Sequence, residues 1–446
     1  MNTDFAWTPE NAARRLEQLH DRLGQDDPVL RHVFTEVFDE QSMTQARQLH
    51  GRSTTDGAGS APSSGVPGDT RISHPLRGAL VSVKDLFDVK GYVSAAGSRF
   101  MSHCAPAQSD APAVRRLREA GAIIIGHTSM TELAYSGLGL NPHHGTPDNA
   151  IMPGRIPGGS TAGGAVSVAL GVADIALGTD TGGSLRIPAA FNGIVGFKPS
   201  QSAVSREGCK SLSRSLDSVG PMTASVAACS LAFNCIRDRS EERGSAIDPE
   251  FIVPDNYGMD DMEPEVARAF EHAISTLSAG GYIISTRSLA SLRSLANLAA
   301  WHFAAVESRA EYDEAYRTKL DLFDPRVASR MARADTVTAV EYRKTLNQRE
   351  RLIGQFRTEM QSKVLLMPTV PILPPPFDEL LDDDSYARIN TQVLRNPSIA
   401  NVLNCCSISL PLCVGGITTG LMLTAQANSD QALLDMASRI ESLLAS

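Results

Sequence analysis

Residues 157–199 read PGGSTAGGAVSVALGVADIALGTDTGGSLRIPAAFNGIVGFKP, and the rest of the chain is organised around them. Two glycine-rich turns lie in this stretch, each with a serine at its tip, Ser160 and Ser184. The small residues 162–171 between the turns predict a closely packed, buried helix, and the apolar run 175–177 predicts a short strand. Helix and strand in such quick succession indicate an α/β fold.

Ser184 directly follows Thr181, Gly182 and Gly183, a turn suited to an oxyanion hole. Glycines let the backbone turn tightly, so that consecutive N–H groups can point at one spot. In an oxyanion hole such donors face the atom on which negative charge develops during attack on a carbonyl. Neither serine lies in GxSxG, and the chain contains no GxxxxGK[ST] or GxGxxG. The signatures of α/β-hydrolases, phosphate loops and dinucleotide-binding folds are therefore missing.

A second candidate stretch lies upstream, where the apolar residues 81–83 lead into Lys84. A serine hydroxyl is a poor nucleophile unless a base takes its proton, and no histidine is near in sequence. Burial would favour the neutral amine of Lys84, which could accept a proton from Ser160, and Ser160 one from Ser184. Taken alone, Lys84 also fits an exposed lysine at a strand end, and a GGS turn fits an ordinary turn.

The chain is acidic, with a formal charge of −9 over 446 residues and an isoelectric point near 5.6. This balance argues against a nucleic-acid partner bound through a broad basic face. No apolar run reaches membrane-spanning length, and the first residues lack the layout of a signal peptide. We therefore expect a cytoplasmic protein without a membrane segment.

The seven cysteines are irregularly spaced and include no CxxC pair, which is typical of reduced, mostly buried thiols. The ten histidines include no HExxH motif, and the neighbouring His143 and His144 do not suggest a converging pair. We expect no metal ion and no other cofactor.

Thr8 and Pro9 are typical of a helix start, and the leucines that follow predict an amphipathic helix over residues 8–24. Residues 51–69 are rich in Gly, Ser, Thr and Pro, and a flexible loop is favoured there over a lid on the site.

An apolar strand that begins at Leu76, a helix over residues 113–120 behind the candidate caps Ser109 and Asp110, and a strand at 122–125 predict a parallel βαβ unit. The sheet is accordingly expected to be rich in parallel pairs. Further helices are predicted over residues 264–280, 289–312, 336–360 and 429–444, and further strands within residues 282–285, 364–376, 407–414 and 420–427.

Residues 76–221 resemble the amidase signature family, serine hydrolases with a Ser–cis-Ser–Lys triad. The family's spacing of 24 residues between its two serines is kept by Ser160 and Ser184. Similarity to the family's C-terminal segments extends the resemblance over nearly the whole chain. The matching motifs are VSVKDLFDVKG (81–91), GGST (158–161), DTGGSLRIPAAF (180–191), GIVGFKPS (193–200), SLDSVGPM (215–222), MPTVPILPPP (367–376) and NCCSISLP (404–411).

The resemblance implies a role for each matching residue. Ser184 would be the acylated nucleophile, and Lys84 the general base. Ser160 would bridge them, held by a cis peptide bond to Gly159. The backbone N–H groups of Thr181, Gly182, Gly183 and Ser184 would form the oxyanion hole.

Some positions support or depart from the family pattern. Thr161 stands where a second serine is common, and its hydroxyl can make the same hydrogen bond. His127 occupies a position often filled by lysine, and we expect it at the surface or behind the catalytic groups. Arg186 could anchor a substrate carboxylate, but an ion pair with Asp180 that braces the turn is favoured, because a buried arginine needs a carboxylate partner. Pocket walls are expected from residues 128–137 and 389–404.

The implied fold is α/β, with one large mixed sheet flanked by many α-helices. We expect a single domain over residues 1–446, with a helical part at 1–50 before the flexible loop and a catalytic core at 76–221. The implied activity is hydrolysis of a C–N bond in a small amide, urea or carbamate, without cofactor. Helix 8–24 and its neighbours often serve dimer contacts in similar proteins, so a homodimer is expected.

Two other functions are compatible with the same motifs. The glutaminase component of a transfer-RNA amidotransferase shares them, but such components usually read RQPAAF where residues 186–191 read RIPAAF. The second of these functions is that of a non-catalytic relative that binds amides. Such a protein has no need to keep Lys84, Ser160 and Ser184 together, so their presence argues against it.

Overall fold

Eleven β-strands form one mixed sheet in the computed structural model, which describes residues 7–56, 74–238 and 246–445. Their order across the sheet, in chain numbering, is 1-3-2-4-6-5-10-11-9-7-8. The strands are β1 Phe34–Val37, β2 Leu80–Lys84, β3 Ile123–Thr128, β4 Ile175–Asp180, β5 Val195–Lys198, β6 Ser218–Thr223, β7 Glu250–Pro254, β8 Ile283–Arg287, β9 Val364–Pro368, β10 Cys405–Val414 and β11 Ile417–Gln426.

Helices surround the sheet, and in the described ranges there are fifteen α-helices. They are α1 Pro9–Gly24, α2 Asp39–Asp56, α3 Pro112–Glu119, α4 Ala162–Ala169, α5 Arg186–Asn192, α6 Val226–Ile236, α7 Pro264–Ala279, α8 Ala290–Leu295, α9 Trp301–Glu311, α10 Asp313–Thr318, α11 Pro325–Ala332, α12 Ala339–Met360, α13 Asp383–Arg395, α14 Ser398–Val402 and α15 Asp430–Leu444. Single 3₁₀ turns cover Glu132–Ala134, Leu320–Leu322, Arg333–Thr336 and Phe377–Leu380. No described helix combines the length and apolar character that a membrane span requires.

The predicted βαβ unit is present, because β2 and β3 are parallel neighbours connected through α3. The expectation of a sheet rich in parallel pairs is wrong, since six of the ten strand pairings are antiparallel. The longest antiparallel pair is the hairpin of β10 and β11, which turns through Gly415 and Gly416, both at positive φ. Antiparallel neighbours need only such short turns, whereas parallel neighbours need a crossover.

The capping residues predicted from the sequence are correct for α1 and wrong for α3. Thr8 Oγ1 accepts a hydrogen bond from Asn11 N at 3.1 Å, so the predicted start of α1 is confirmed. Helix α3 has no side-chain cap, so the expected capping by Ser109 or Asp110 is wrong. Asp110 lies before the helix, where its Oδ1 accepts from Lys90 N at 2.8 Å and its Oδ2 pairs with Arg118 of α3 at 3.0 Å.

The structure also differs from the prediction of a loop over residues 51–69 and of one helix over residues 289–312. Helix α2 continues to Asp56, so the start of the predicted loop 51–69 is helical, and its remainder from residue 57 lies outside the described residues. The single helix predicted over 289–312 is divided into α8 and α9. The amide of Asn297 donates to Arg293 O at 3.3 Å near the break, a side-chain bond that competes with the helical backbone.

The small residues of α4 bring its backbone against the ends of other elements. Gly163 donates its N–H to Ser129 O at 3.0 Å, just beyond β3. A Cβ at Gly163 would lie 2.2 Å from Val33 O and 2.8 Å from Ser129 N, both backbone atoms. Neither can move aside independently, so only glycine fits this contact.

We predict that Gly163→Ala lowers the free energy of unfolding by about 1–3 kcal/mol through overpacking. The matched control is Gly354→Ala on α12, where a Cβ meets nothing within 4 Å. That substitution should raise stability by about 0.5–1 kcal/mol, because alanine is the better helix former. Urea unfolding of both variants tests the contact, and equal effects would contradict it.

Candidate active site

Lys84, at the end of β2, has a fully buried side chain. Its Nζ donates to Ser160 Oγ at 2.7 Å and to Thr179 Oγ1 at 3.0 Å. Strand β2 lies between β3 and β4, so its end is enclosed by the sheet and by the turn before α4. Burial lowers the pKa of Lys84 to about 7, although the negative charges of Asp180 and Asp217 oppose this shift. The interpretation as an exposed strand-end lysine is therefore wrong, and the neutral amine is accessible near neutral pH.

Ser160 lies in the turn between residues 157 and 161, and the Gly159–Ser160 peptide bond is cis. Gly159 donates its N–H to Gly137 O at 2.8 Å, and Thr131 donates its own to Ser160 O at 3.2 Å. A Cβ at Gly159 would lie 2.5 Å from the backbone nitrogen of Gly139, so no side chain fits there. These contacts fix Ser160 at hydrogen-bond distance from Lys84.

Thr161 and Thr179 surround the Lys84–Ser160 pair. Thr161 Oγ1 is 3.5 Å from Thr179 O, at the long end of hydrogen bonding. The hydroxyl of Thr179 accepts the second bond from Lys84 and was not singled out from the sequence. Its position next to Asp180 in the motif was the available signal.

Ser184 lies in the turn between β4 and α5, with 3% of its surface exposed. It lines a cavity of ≈ 370 Å³ together with Thr181 and Gly182. Among the described residues, Ser184 Oγ has no hydrogen-bond partner, whereas Ser160 is already bonded to Lys84. Bonds between catalytic groups commonly tighten only when substrate is bound.

The turn before Ser184 is held by Asp180. Gly183 donates its N–H to Asp180 Oδ1 at 2.8 Å, and Leu185 donates to Oδ2 at 3.1 Å. The prediction that Gly183 contributes to the oxyanion hole is therefore wrong, because its N–H faces the carboxylate of Asp180. In the described structure, the N–H groups of Thr181, Gly182 and Ser184 remain without an acceptor and available for that purpose.

Asp217, just before β6 and fully enclosed, fixes the other side of the turn. Its Oδ1 accepts from Thr181 Oγ1 at 2.6 Å, and its Oδ2 accepts from Ser211 Oγ at 2.7 Å. The motif SLDSVGPM contains this residue, so its importance could have been inferred from the sequence.

The predicted ion pair of Arg186 with Asp180 is confirmed. Both side chains are fully buried, with Nη2 3.0 Å from Oδ1 and Nε 3.1 Å from Oδ2. Asn401 Oδ1 accepts from Arg186 Nη2 at 2.8 Å, and its amide donates to Asp180 Oδ1 at 2.9 Å. Burial alone would raise the pKa of Asp180, but the charge and hydrogen bonds of Arg186 lower it to about 2. Arg186 therefore braces the turn and is not a substrate anchor.

His127 is fully buried on β3, so the expected surface position is wrong. Its Nε2 is 3.0 Å from Phe87 O, and its Nδ1 is 3.5 Å from Asp85 Oδ1. Burial lowers the pKa of His127 to about 4 and raises the pKa of Asp85 to about 7. The imidazole is therefore neutral at neutral pH, and the contact is not an ion pair.

Two walls of the cavity beside Ser184 come from the predicted segments 128–137 and 389–404, and further walls come from segments that were not predicted. Residues 134–136 come from the first predicted wall, and Asn390, Leu394 and Arg395 are among those from the second. Leu212, Leu216 and Tyr257 form part of the remaining wall, and the rest comes from the start of α9, from α11 and from the 3₁₀ turn after α11, elements that lie far from Ser184 in sequence. No local motif marks these elements.

The amidase family model matches residues 32–434 of the chain. The chain belongs to the amidase family. It is 35% identical over 417 residues to the 2-amino-5-chloromuconic acid deaminase of Comamonas testosteroni, an alignment that covers 89% of both chains. The crystal structure of an amidase superposes with a TM-score of 0.83 at 30% identity, covering 98% of this chain and 96% of that one. Membership makes this an amidase, a hydrolase that acts on C–N bonds.

Two further proteins are similar to this chain, one in sequence over half of its length and one in fold. One component of the glutamyl-tRNA(Gln) amidotransferase of Methanothermobacter thermautotrophicus is 35% identical over 226 residues, 50% of this chain and 46% of that one. The allophanate hydrolase of Kluyveromyces lactis has a TM-score of 0.84 at 23% identity over 100% of this chain and 74% of its own, which shows a common fold. The α/β fold with one large mixed sheet, as expected from the sequence, is therefore the fold of the amidase family.

We predict that Arg186→Met lowers the free energy of unfolding by about 3–5 kcal/mol, because it leaves the buried Asp180 carboxylate without its counter-charge. The matched control is Arg214→Met, since Arg214 pairs with Glu311 at 3.0 Å but is 76% exposed. That variant should lose less than about 1 kcal/mol. Urea unfolding measures both, and a small loss for Arg186→Met would contradict a bracing role.

Proposed function

We propose that this amidase hydrolyses the C–N bond of a small amide through an acyl-enzyme on Ser184, with Ser160 and Lys84 as its proton relay. The observation that carries the proposal is the 2.7 Å hydrogen bond between the buried amine of Lys84 and Ser160. A lysine whose pKa lies at about 7 can accept a proton at neutral pH, and Ser160 is the group it contacts.

In the proposed cycle, Ser184 Oγ attacks the amide carbonyl while its proton passes to Ser160 and the proton of Ser160 passes to Lys84. The carbonyl oxygen becomes an oxyanion that accepts from the N–H groups of the turn, those of Thr181, Gly182 and Ser184. Collapse of this intermediate breaks the C–N bond, and the ammonium of Lys84 returns the proton through Ser160 to the departing amine. Water then attacks the acyl-enzyme by the same relay, releasing a carboxylic acid and Ser184.

The first alternative is the glutaminase component of a transfer-RNA amidotransferase, and the resemblance to the Methanothermobacter protein supports it. Alignment over 50% of this chain, against 89% for the deaminase, favours a hydrolase that acts alone. Co-purification with two further proteins of such an assembly would favour the amidotransferase instead. A binding protein without catalysis is the other alternative, and the buried lysine–serine pair argues against it.

We also propose a cytoplasmic location, because all seven cysteines are free thiols, and a homodimer with contacts that include α1. The substrate class extends to ureas and carbamates, whose carbonyl carbon is open to the same attack.

A fluorophosphonate probe should add its mass to the tryptic peptide that contains Ser184, because the probe captures an activated serine. Ser184→Ala should remove the adduct and lower kcat at least about a thousandfold. Thermal unfolding of the variant should match that of the wild type, since Ser184 Oγ has no hydrogen-bond partner among the described residues, and a match would show that loss of label does not reflect a collapsed turn. An adduct on another serine would overturn the assignment of Ser184, and a folded protein without any adduct would favour the binding protein.

The rate of acylation should rise with pH through about 7 and level off above it, because only the neutral amine of Lys84, whose pKa lies at about 7, accepts a proton. Lys84→Met should remove this rising limb and lower the rate at least about a thousandfold. The control is Lys198→Met, since Lys198 is also fully buried with its pKa lowered by burial to about 8. A limb that survives in Lys84→Met, or that moves in Lys198→Met, would contradict the proposed base.

A further inference from the structure

We propose that the substrate carries a carboxylate away from its scissile bond, and that Arg330 and Arg333 bind this carboxylate. The inference rests on the proposed hydrolysis at Ser184 and names the class of amide that the site accepts: small amides with a distal carboxylate, such as monoamides of short dicarboxylic acids.

The two arginines share a cavity with the nucleophile. Arg330 is on α11 and Arg333 begins the 3₁₀ turn that follows, so the two lie on the same side of this segment. Both line the ≈ 370 Å³ cavity that contains Ser184, and both also line an adjoining cleft of ≈ 780 Å³. They therefore stand where a substrate passes from the cleft to the serine.

The charge of the cavity wall is entirely positive. Its charged lining residues are Arg330, Arg333 and Arg395, and no Asp or Glu of the described chain is among them. Arg395 is satisfied by Asp260, whose Oδ1 lies 3.3 Å from Nη1 and whose carbonyl accepts from Nη2 at 2.6 Å. The other two arginines have no carboxylate oxygen within 4.0 Å among the described residues.

Aromatic rings hold both guanidinium groups in position. Arg333 lies 3.9 Å above the ring of Trp301, and Arg330 lies 5.1 Å from the ring centre of Tyr386 and 5.8 Å from that of Tyr135. Arg330 also donates to the carbonyl of Tyr135. A guanidinium stacked on a ring uses its flat face and keeps N–H groups at its edge, which match the two oxygens of a carboxylate. The rings therefore hold each guanidinium by its face, and N–H groups at its edge are left to bind a carboxylate.

The positive charges of Arg330 and Arg333 both act on the part of the cavity around Tyr135. Burial raises the pKa of Tyr135, and the charges of Arg330 and Arg333 both oppose that shift. Tyr135 is itself a cavity wall, so both cations contribute to the potential within the cavity. Within this cavity an anion would meet both cations and no carboxylate of the described residues, whereas the adjoining cleft also contains Asp324 and Asp383.

The rest of the lining limits the size and polarity of the substrate. Leu212, Leu216, Leu394, Tyr257 and Trp301 are apolar or aromatic walls. A volume of ≈ 370 Å³ is at the small end for ligand sites. A short apolar body between the amide and the carboxylate fits this lining.

The test compares two anilides that differ in one charge. The first is the mono-4-nitroanilide of glutaric acid, and the second is its 5-oxohexanoyl counterpart, in which a methyl group replaces the charged oxygen. Release of 4-nitroaniline gives kcat/KM for each. The wild type should prefer the acid at least about tenfold, since a hydrogen-bonded charge pair contributes that much or more. Equal values for the two anilides would overturn the inference.

Substitution of each arginine tests which groups carry the preference. Arg330→Met and Arg333→Met should each remove most of this preference, and the lysine variants should lower it less because they keep the charge. The control is Arg317→Met on α10, because Arg317 is already paired with Asp313 at 2.8 Å and lines neither the cavity nor the cleft. Its preference should change less than about twofold. A loss in the control equal to that in Arg333→Met would contradict specific binding.

Labelling of Ser184 separates this inference from the proposed function. A wild type that the fluorophosphonate probe does not label contradicts hydrolysis at Ser184, whereas a labelled enzyme without preference for the acid contradicts only the carboxylate site. If neither anilide is turned over, glutarate should protect Ser184 from the probe better than glutaramide, and equal protection would overturn the inference. Thermal unfolding of each variant shows whether a loss reflects a misfolded chain.

Discussion

The buried pair of Asp180 and Arg186 is the interaction on which the site depends. Asp180 ends β4 and Arg186 begins α5, so their contact closes the turn that contains Ser184. The same carboxylate accepts two backbone N–H groups of the turn, and Asn401 ties the pair to α14. Neither charge could be buried alone, because removing a lone ion from water costs more free energy than any single contact returns. The turn is therefore rigid because every member of this cluster needs the others.

That rigidity decides which backbone donors face the cavity. The bond from Gly183 N to Asp180 turns this N–H away from the cavity, while Asp217 holds the hydroxyl of Thr181 from the opposite side. A preorganised turn does not have to rearrange when charge develops on a substrate, and that is where an enzyme gains most from fixed donors. The structural and the proposed catalytic roles of this turn are thus consequences of the same hydrogen bonds.

Burial has opposite consequences for the cations of this amidase. Lys84 and Lys198 are both enclosed, and the loss of water lowers the pKa of each. Arg186 is as deeply buried, but it faces the carboxylate of Asp180 at 3.0 Å. Arg330 is half-buried and Arg333 is exposed, and an aromatic ring lies beside each of them. The local surroundings therefore decide whether a cation of this region becomes easy to deprotonate, braces the fold or lines the cavity.

The sequence determined the features that depend on neighbouring residues: the helix start at Thr8, the buried strand and helix around the two serines, the pair of Asp180 with Arg186, and the family. It could not determine what depends on distant segments. The bond of Thr179 to Lys84, the contact of Asn401 with Asp180, the antiparallel majority in the sheet and the wall formed by α9 and α11 join residues far apart in the chain. The orientation of the Gly183 N–H also required the structure, although Asp180 is only three residues away. Periodicity and turn residues report local conformation, whereas burial, charge pairing and the direction of a hydrogen bond arise only when separate segments pack together.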